Sequence, residues 1–312
     1  MSRRRFALLL KTYSTDFEYA ARLVASFHRF NADGLHLFCV VPQLDLDKFK
    51  PLQAPTVTVL EESALEQYFT QEAVSGIRPG YINQEIVKLA FWELALAENY
   101  FCVDSEAVFI RDIHESDFMA PDGFPYTVLV EDKDLKVDPY YFENFWESRE
   151  HSQRLIAQEL DISDPVIRTC HGHQVFSSEV LRDFKTSFLG PRGWTYLDAL
   201  SLSPYEFTWY NLWLQKSRVI PIHQREPFVK VIHHEQEHIE FILRGTTQTD
   251  LARAYLAVVV NSNFSRDKGM FTLTESKSAA LAPYLSYREL AGLMATKFKT
   301  SSRRLFGRPT GQ

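Results

Sequence analysis

The feature that most constrains this chain is the regular alternation of short apolar runs with helix-spaced segments over its first 112 residues. Residues 6–10 are uninterruptedly apolar, residues 35–41 form a second strand-like run, apolar except at His36 and stopped by Pro42, and residues 56–60 alternate threonine with apolar side chains. Between the first two, residues 16–30 put Phe17, Ala20, Ala21, Val24 and Phe27 on one helical face, with Ser14 or Thr15 available as a cap. Strands alternating with helices imply an α/β layered fold with a sheet that is parallel at least in this half. In such a sheet ligands gather beyond the C-terminal strand ends. That edge would carry Lys11, Thr12 and Tyr13 after the first strand.

Residues 80–112 then concentrate the polar chemistry. Tyr81, Gln84 and Lys88 recur at i, i+3 and i+7, so a helix stacks them on one side. Tyr100, Phe101, Cys102 and Val103 make a short apolar run suited to an interior strand. Asp104 and Glu106 follow at a spacing of two, flanking Ser105, and point the same way if the chain stays extended. Two carboxylates at the end of a core strand suit a hard divalent cation such as Mg²⁺ or Mn²⁺, whose other positions phosphate oxygens would fill.

A helix carrying Lys88-Leu89, followed by an apolar strand ending in Asp104-Ser105-Glu106, resembles the core of GT-A-type nucleotide-sugar glycosyltransferases with an Asp-x-Asp or Asp-x-Glu motif. The third position is Glu106 where such families usually have Asp. The resemblance implies a GT-A-like layered fold with a mostly parallel central sheet and a C-terminal extension. It also implies transfer of a sugar from a nucleotide-sugar donor to the hydroxyl of a glycan or other acceptor. By the same resemblance Asp104 and Glu106 would hold the metal, Lys88 would meet the donor, and Tyr81, Gln84 and Ser105 would line its site. The expected organisation is one domain over residues 1–296, with a nucleotide-binding half at 1–112 and an acceptor half at 113–296, followed by a basic tail at 297–312.

At 312 residues the chain can bury a substantial core. Its net charge of −6 offers no global basic field for nucleic acid. Lys297, Lys299, Arg303, Arg304 and Arg308 form a local exception, a tail that reads first as a solvated segment and otherwise as one in weak contact with an anionic membrane surface. The three cysteines, Cys39, Cys102 and Cys170, are too scattered for a disulfide framework. The apolar run after Arg3, Arg4 and Arg5 is too short for a signal peptide, and no stretch approaches the ~20 apolar residues of a membrane span. A cytoplasmic protein is the expectation.

Beyond residue 112 the pattern reads as a strand at 126–131, a helix opened by Asp138 and Pro139 toward Leu160, strands at 219–222, 228–232 and 255–260, and a last helix at 284–297. Ser177-Ser178-Glu179 is a plausible cap for a helix over residues 180–184, and His171 and His173 alternate on the extended segment before it, where they would face the acceptor pocket, His173 as a substrate contact. Glu206 precedes Phe207, Trp209 and Tyr210 at the start of an aromatic helix. It is the candidate general base for an acceptor hydroxyl, against the plain alternative of a first-turn acid facing the helix dipole. His233 and His234, just past a strand end, are candidates for a late metal ligand within the transferase reading. Residues 234–238 also match H-E-x-x-H, so a zinc peptidase using His234, Glu235 and His238 is an alternative. Against it stand the charge on Glu237 and the strand-like lead-in. A nucleotide-sugar-binding module without catalysis is the other alternative.

Overall fold

The computed structural model describes residues 3–131, 133–163, 166, 167, 169 and 172–265, with 288, 291, 292 and 295 beyond them. Its centre is a five-stranded sheet in the order β3-β2-β1-β4-β7. Strands β1 (Arg4–Lys11), β2 (Leu37–Val41), β3 (Val57–Glu61) and β4 (Ala97–Val103) are mutually parallel, and β7 (Val175–Ser177) runs antiparallel along β4. The fold is therefore α/β with a mostly parallel central sheet.

The apolar runs are continuous because both faces of the sheet are covered. Along β1, Ala7 and Leu9 enter one core, while Phe6, Leu8 and Leu10 enter the other. The first core also takes Ile82, Ile86 and Leu89 of helix α2 (Pro79–Ala90) and Trp209, Tyr210 and Leu212 of helix α4 (Glu206–Ser217). The second takes Ala20, Leu23, Val24 and Phe27 of helix α1 (Phe17–Phe30). Neither Ser14 nor Thr15 caps α1. A short 3₁₀ turn, Ser14–Asp16, precedes it, and Asp16 stands at the cap without a side-chain bond.

A second, three-stranded sheet joins β5 (Ala107–Phe109) to β10 (Ala257–Val260) and β9 (Val229–Ile232), with β9 and β10 parallel. A two-stranded sheet pairs β6 (Tyr126–Val128) with β8 (His223–Arg225). The strand expected at 219–222 thus forms a few residues later. The helix expected from Asp138 is present as Pro139–Tyr141, a wider π-type turn Phe142–Trp146, and helix α3 (Glu147–Glu159), with Asp138 accepting from the Tyr141 N–H as its cap. Ser177 does cap its helix, accepting from the Glu179 N–H.

His171, Cys170, the basic tail at 297–312 and most of the helix expected at 284–297 lie outside the described residues. Among the described residues no helix is long and apolar enough to cross a membrane.

Candidate active site

The order 3-2-1-4 reverses direction between β1 and β4, and the crevice beyond their C-terminal ends is where such sheets hold ligands. A cavity of about 340 Å³ lies there. Leu10 of β1 is paired with Val103 of β4, so the two strands deliver Tyr13 and Asp104 to the same opening. The second sheet aims at it too. β9 ends just before His233 and β10 just before Asn261 and Ser262, all three of which line the cavity. Four strand ends therefore converge on one space.

Of the residues singled out in the sequence, Tyr81, Gln84, Lys88, Asp104, Ser105, Glu106, His173, Glu206 and His233 all line this cavity. His234 does not. Its Nδ1 accepts from the Glu237 N–H, capping helix α5 (Glu235–Arg244), and its Nε2 meets Asp138 Oδ2 at 3.1 Å. Both ring nitrogens are thus engaged in holding the chain, which removes His234 from the metal-ligand set and from the peptidase alternative. The zinc-helix pattern also fails on backbone grounds, because His234 is extended (φ −147°) and only His238 lies within the helix, fully buried with its pKa lowered to about 4 by burial.

Asp104, Ser105 and Glu106 form a turn rather than the extended segment expected, closed by the Ala107 N–H donating to the Asp104 carbonyl at 3.0 Å. Both acids still face the cavity. Burial and then the neighbouring Asp104 raise the Glu106 carboxyl, while a bond from Ser262 opposes the shift. Asp104 goes the other way. Burial would raise it, but Lys88 and then His173 hold it below the usual carboxylate range. Like charges in close reach suit a cation lodged between them. Among the described residues, however, no group of three or more His, Cys, Asp or Glu side chains is arranged to hold a metal. The two carboxylates fit a divalent ion only as a partial shell that ligand oxygens would complete, and His233 and His234 do not join them.

The electrostatic centre is Lys88. Its Nζ lies 2.9 Å from Glu206 Oε1, 3.0 Å from Glu85 Oε2 and 3.6 Å from Asp104 Oδ1. The Lys88, Glu85 and Glu206 side chains are only 6%, 3% and 4% exposed, whereas Asp104 is 35% open. Burial alone would lower the Lys88 pKa, but Glu206, then Glu85 and Asp104, reverse this and raise it well above its ordinary value. Glu85 is raised well above an ordinary carboxyl, first by burial and next by Glu206, with which it shares a hydrogen bond. The Glu85 carboxyl is thus biased toward its protonated form by its burial and by the like charge beside it. Lys88 lies 4.9 Å from the centroid of the Phe207 ring, which closes the group on another side.

Glu85 is absent from the sequence reading because the i, i+3, i+7 count passed over it. Its signal was the i, i+3 spacing to Lys88 on an otherwise apolar stretch of helix. Because Glu85 titrates higher in the folded chain than the ordinary 4.5, the native state binds more protons above that value, and stability should fall as pH rises toward the raised one. Glu85→Gln mimics the protonated acid. Its denaturation free energy, followed across pH, should lack this decline.

His173 is held at φ +58°, the left-handed region that costs a non-glycine residue of order 1–3 kcal/mol. Its Nε2 lies 3.3 Å from Asp104 Oδ2. Gly172 before it packs so tightly on Phe207 that a Cβ would come within 3.1 Å of that ring. The strain and the close packing together fix the imidazole against the acid.

Residues 7–276 match a family described as "Family of unknown function (DUF6492)", and the chain belongs to it. No curated protein matches the sequence. Among solved structures, mouse xyloside xylosyltransferase 1 in its apo form is similar with a TM-score of 0.46 and 10% identity, over 83% of this chain and 98% of that one. The apo bifunctional glycosyltransferase WbbM gives a TM-score of 0.46 and 11% identity, over 83% of this chain and 45% of that one.

Proposed function

We propose that this protein transfers a sugar from a nucleotide-sugar donor to an acceptor hydroxyl, through a GT-A-like site. The observation that carries the reading is the meeting of the strand-end acids Asp104 and Glu106 with Tyr81, Gln84, Lys88 and Glu206 around one cavity at the carboxyl edge of a parallel sheet. Carboxylates and phenols suit a sugar because they exchange hydrogen bonds with its hydroxyls. Asp104 and Glu106 would hold a Mg²⁺ or Mn²⁺ ion, which when bound offsets charge growing on a departing diphosphate. A second cavity of about 570 Å³ shares Val231 and His233 with the first and gives an acceptor room beside the donor.

Lys88 takes a different part from the one its motif implied. With three carboxylates around its ammonium, it holds Glu206 and Asp104 in place instead of reaching a donor phosphate. Glu206 is the candidate base for the acceptor hydroxyl. Its pairing with Lys88 also favours a second reading, a nucleotide-sugar-binding module without turnover, because Glu206 Oε1 is already engaged by the ammonium at 2.9 Å.

The test is a panel of nucleotide sugars with and without Mn²⁺, scored for binding by titration and for donor consumption. Asp104→Ala should lose the metal-dependent part of nucleotide binding and all donor turnover while remaining folded. Unchanged metal dependence in that variant sinks the assignment of Asp104. Binding throughout the panel with no consumption selects the module.

A further inference from the structure

One residue of the site carries backbone strain that its neighbour could have taken without cost. His173 stands at φ +58°, a conformation that glycine adopts freely, although Gly172 is one position away. Gly172 serves packing instead, since a Cβ there would meet the Phe207 ring at 3.1 Å. The sheet sets where His173 stands. β7 runs antiparallel to β4 with Val175 opposite Phe101, and the Cys102 N–H donates to the Gln174 carbonyl at 3.0 Å. The same register carried back to His173 falls opposite Val103, the residue before Asp104. On the other side the Gln174 side chain bonds both backbone groups of Val128 at 3.1 Å. The buried imidazole thus approaches the acid from a rigid base. Its Nε2 lies 3.3 Å from Asp104 Oδ2 and bonds to no other group among the described residues.

We infer that His173 is a positioning residue for Asp104, holding the carboxylate by Oδ2 in the orientation through which it receives a divalent cation. The inference deepens the transfer reading and rests on it for the cation's place at Asp104. Orientation matters because the acid is otherwise loosely held. Lys88 Nζ stands 3.6 Å from Asp104 Oδ1, beyond ordinary hydrogen-bond distance, and lies closer to Glu206 and Glu85 at 2.9 and 3.0 Å. The last torsion of an aspartate is broad, so a carboxylate without a second contact spreads its lone pairs over a wide arc. An imidazole N–H at Nε2 fixes one oxygen and leaves the remaining lone pairs to the cavity. A group that holds a ligating carboxylate in this way strengthens metal binding, because the ordering precedes the metal. The strained backbone is then the cost of bringing the ring to that one place.

The test is Mn²⁺ titrated by calorimetry, without nucleotide, into the full-length parent, His173→Gly and His173→Gln. Glycine keeps the φ +58° backbone and relieves its strain while deleting the ring. Glutamine keeps the strain and carries an amide N–H that can stand near the place of Nε2. A purely structural role ranks glycine above glutamine in melting temperature and leaves Mn²⁺ affinity alike in both. The positioning role gives the opposite order in affinity. Mn²⁺ binding should weaken about ten- to a hundredfold in His173→Gly and recover in part in His173→Gln. If loss of the buried ring unfolds the glycine variant, His173→Asn takes its place, since asparagine also tolerates a positive φ and is too short to reach Oδ2. Affinity within a few-fold of the parent in the glycine or asparagine variant overturns the inference. So does a nitrogen hyperfine coupling on bound Mn²⁺ that vanishes in His173→Gln, which would make the ring a direct ligand. The two readings fail separately. Unchanged affinity with nucleotide sugar still consumed removes the role of His173 and leaves transfer intact. Weakened affinity in the variant with no nucleotide sugar consumed by the parent keeps that role and removes the transferase. A parent that binds no Mn²⁺ removes the role outright, and donor consumption in EDTA then decides transfer alone.

Discussion

Lys88→Ala is expected to destabilise the protein by about 3–5 kcal/mol, the cost of removing one partner from a buried ion pair and leaving the other charge unpaired. The argument rests on what remains behind. Without the ammonium, Glu206, Glu85 and Asp104 are left together with no cation at 2.9, 3.0 or 3.6 Å to meet them. The intact cluster is a smaller net contributor, because desolvating the lysine and two glutamates offsets much of their attraction. A typical domain has only about 5–15 kcal/mol in hand, so the loss would be plain in urea denaturation. Lys88→Met with Glu85→Gln and Glu206→Gln, a neutral replacement of the buried group, should recover most of it. If Lys88→Ala costs under about 1 kcal/mol and instead weakens nucleotide binding tenfold, then Lys88 is a donor ligand after all and the pairing is incidental.

The parts of the fold that could be read from sequence are those where local pattern and burial agree. Residues 6–10 and 100–103 are apolar throughout because both faces of the sheet are covered, and such runs have few other destinations. The site residues after β4 were legible for the same reason, since Asp104 is the first polar group past a core strand. Positions set by long-range contact were not. Glu85 reads as one more charge on an amphipathic helix until Glu206, 121 positions away in sequence, is brought against it. Arg149 meets the phenol of Tyr81, 68 positions earlier, only in the folded chain. His234 shows the converse error. Its spacing to His238 satisfies a metal-helix motif, yet the helix begins one residue too late, and its ring is taken up by capping and by Asp138. A motif fixes separation along the chain and says nothing about which nitrogen remains free.

The largest catalytic effect is expected at Glu206. If its carboxylate accepts the acceptor's proton, Glu206→Gln should slow transfer by ~10²–10⁴-fold, the usual range for a lost general base. Nucleotide affinity should change little, because the proposed metal contacts, Asp104 and Glu106, lie on another element. The amide keeps an oxygen within reach of the Lys88 ammonium and relieves Glu85 of a like-charged neighbour, so the cost to stability should be well below that of Lys88→Ala. This separation lets rate and fold be read independently in one variant. A second readout comes from Glu85, whose carboxyl is raised by burial and then by Glu206. In the parent, raising the pH toward that raised value ionises Glu85 beside a like charge and weakens the cluster. Stability declining with pH is expected of the parent, and Glu206→Gln, which removes the like charge, should lessen the decline. A variant that transfers sugar within a few-fold of the parent, with the same pH profile, would reduce Glu206 to the acid that keeps Lys88 buried, and His173, fixed against Asp104 at 3.3 Å, would become the residue to replace next.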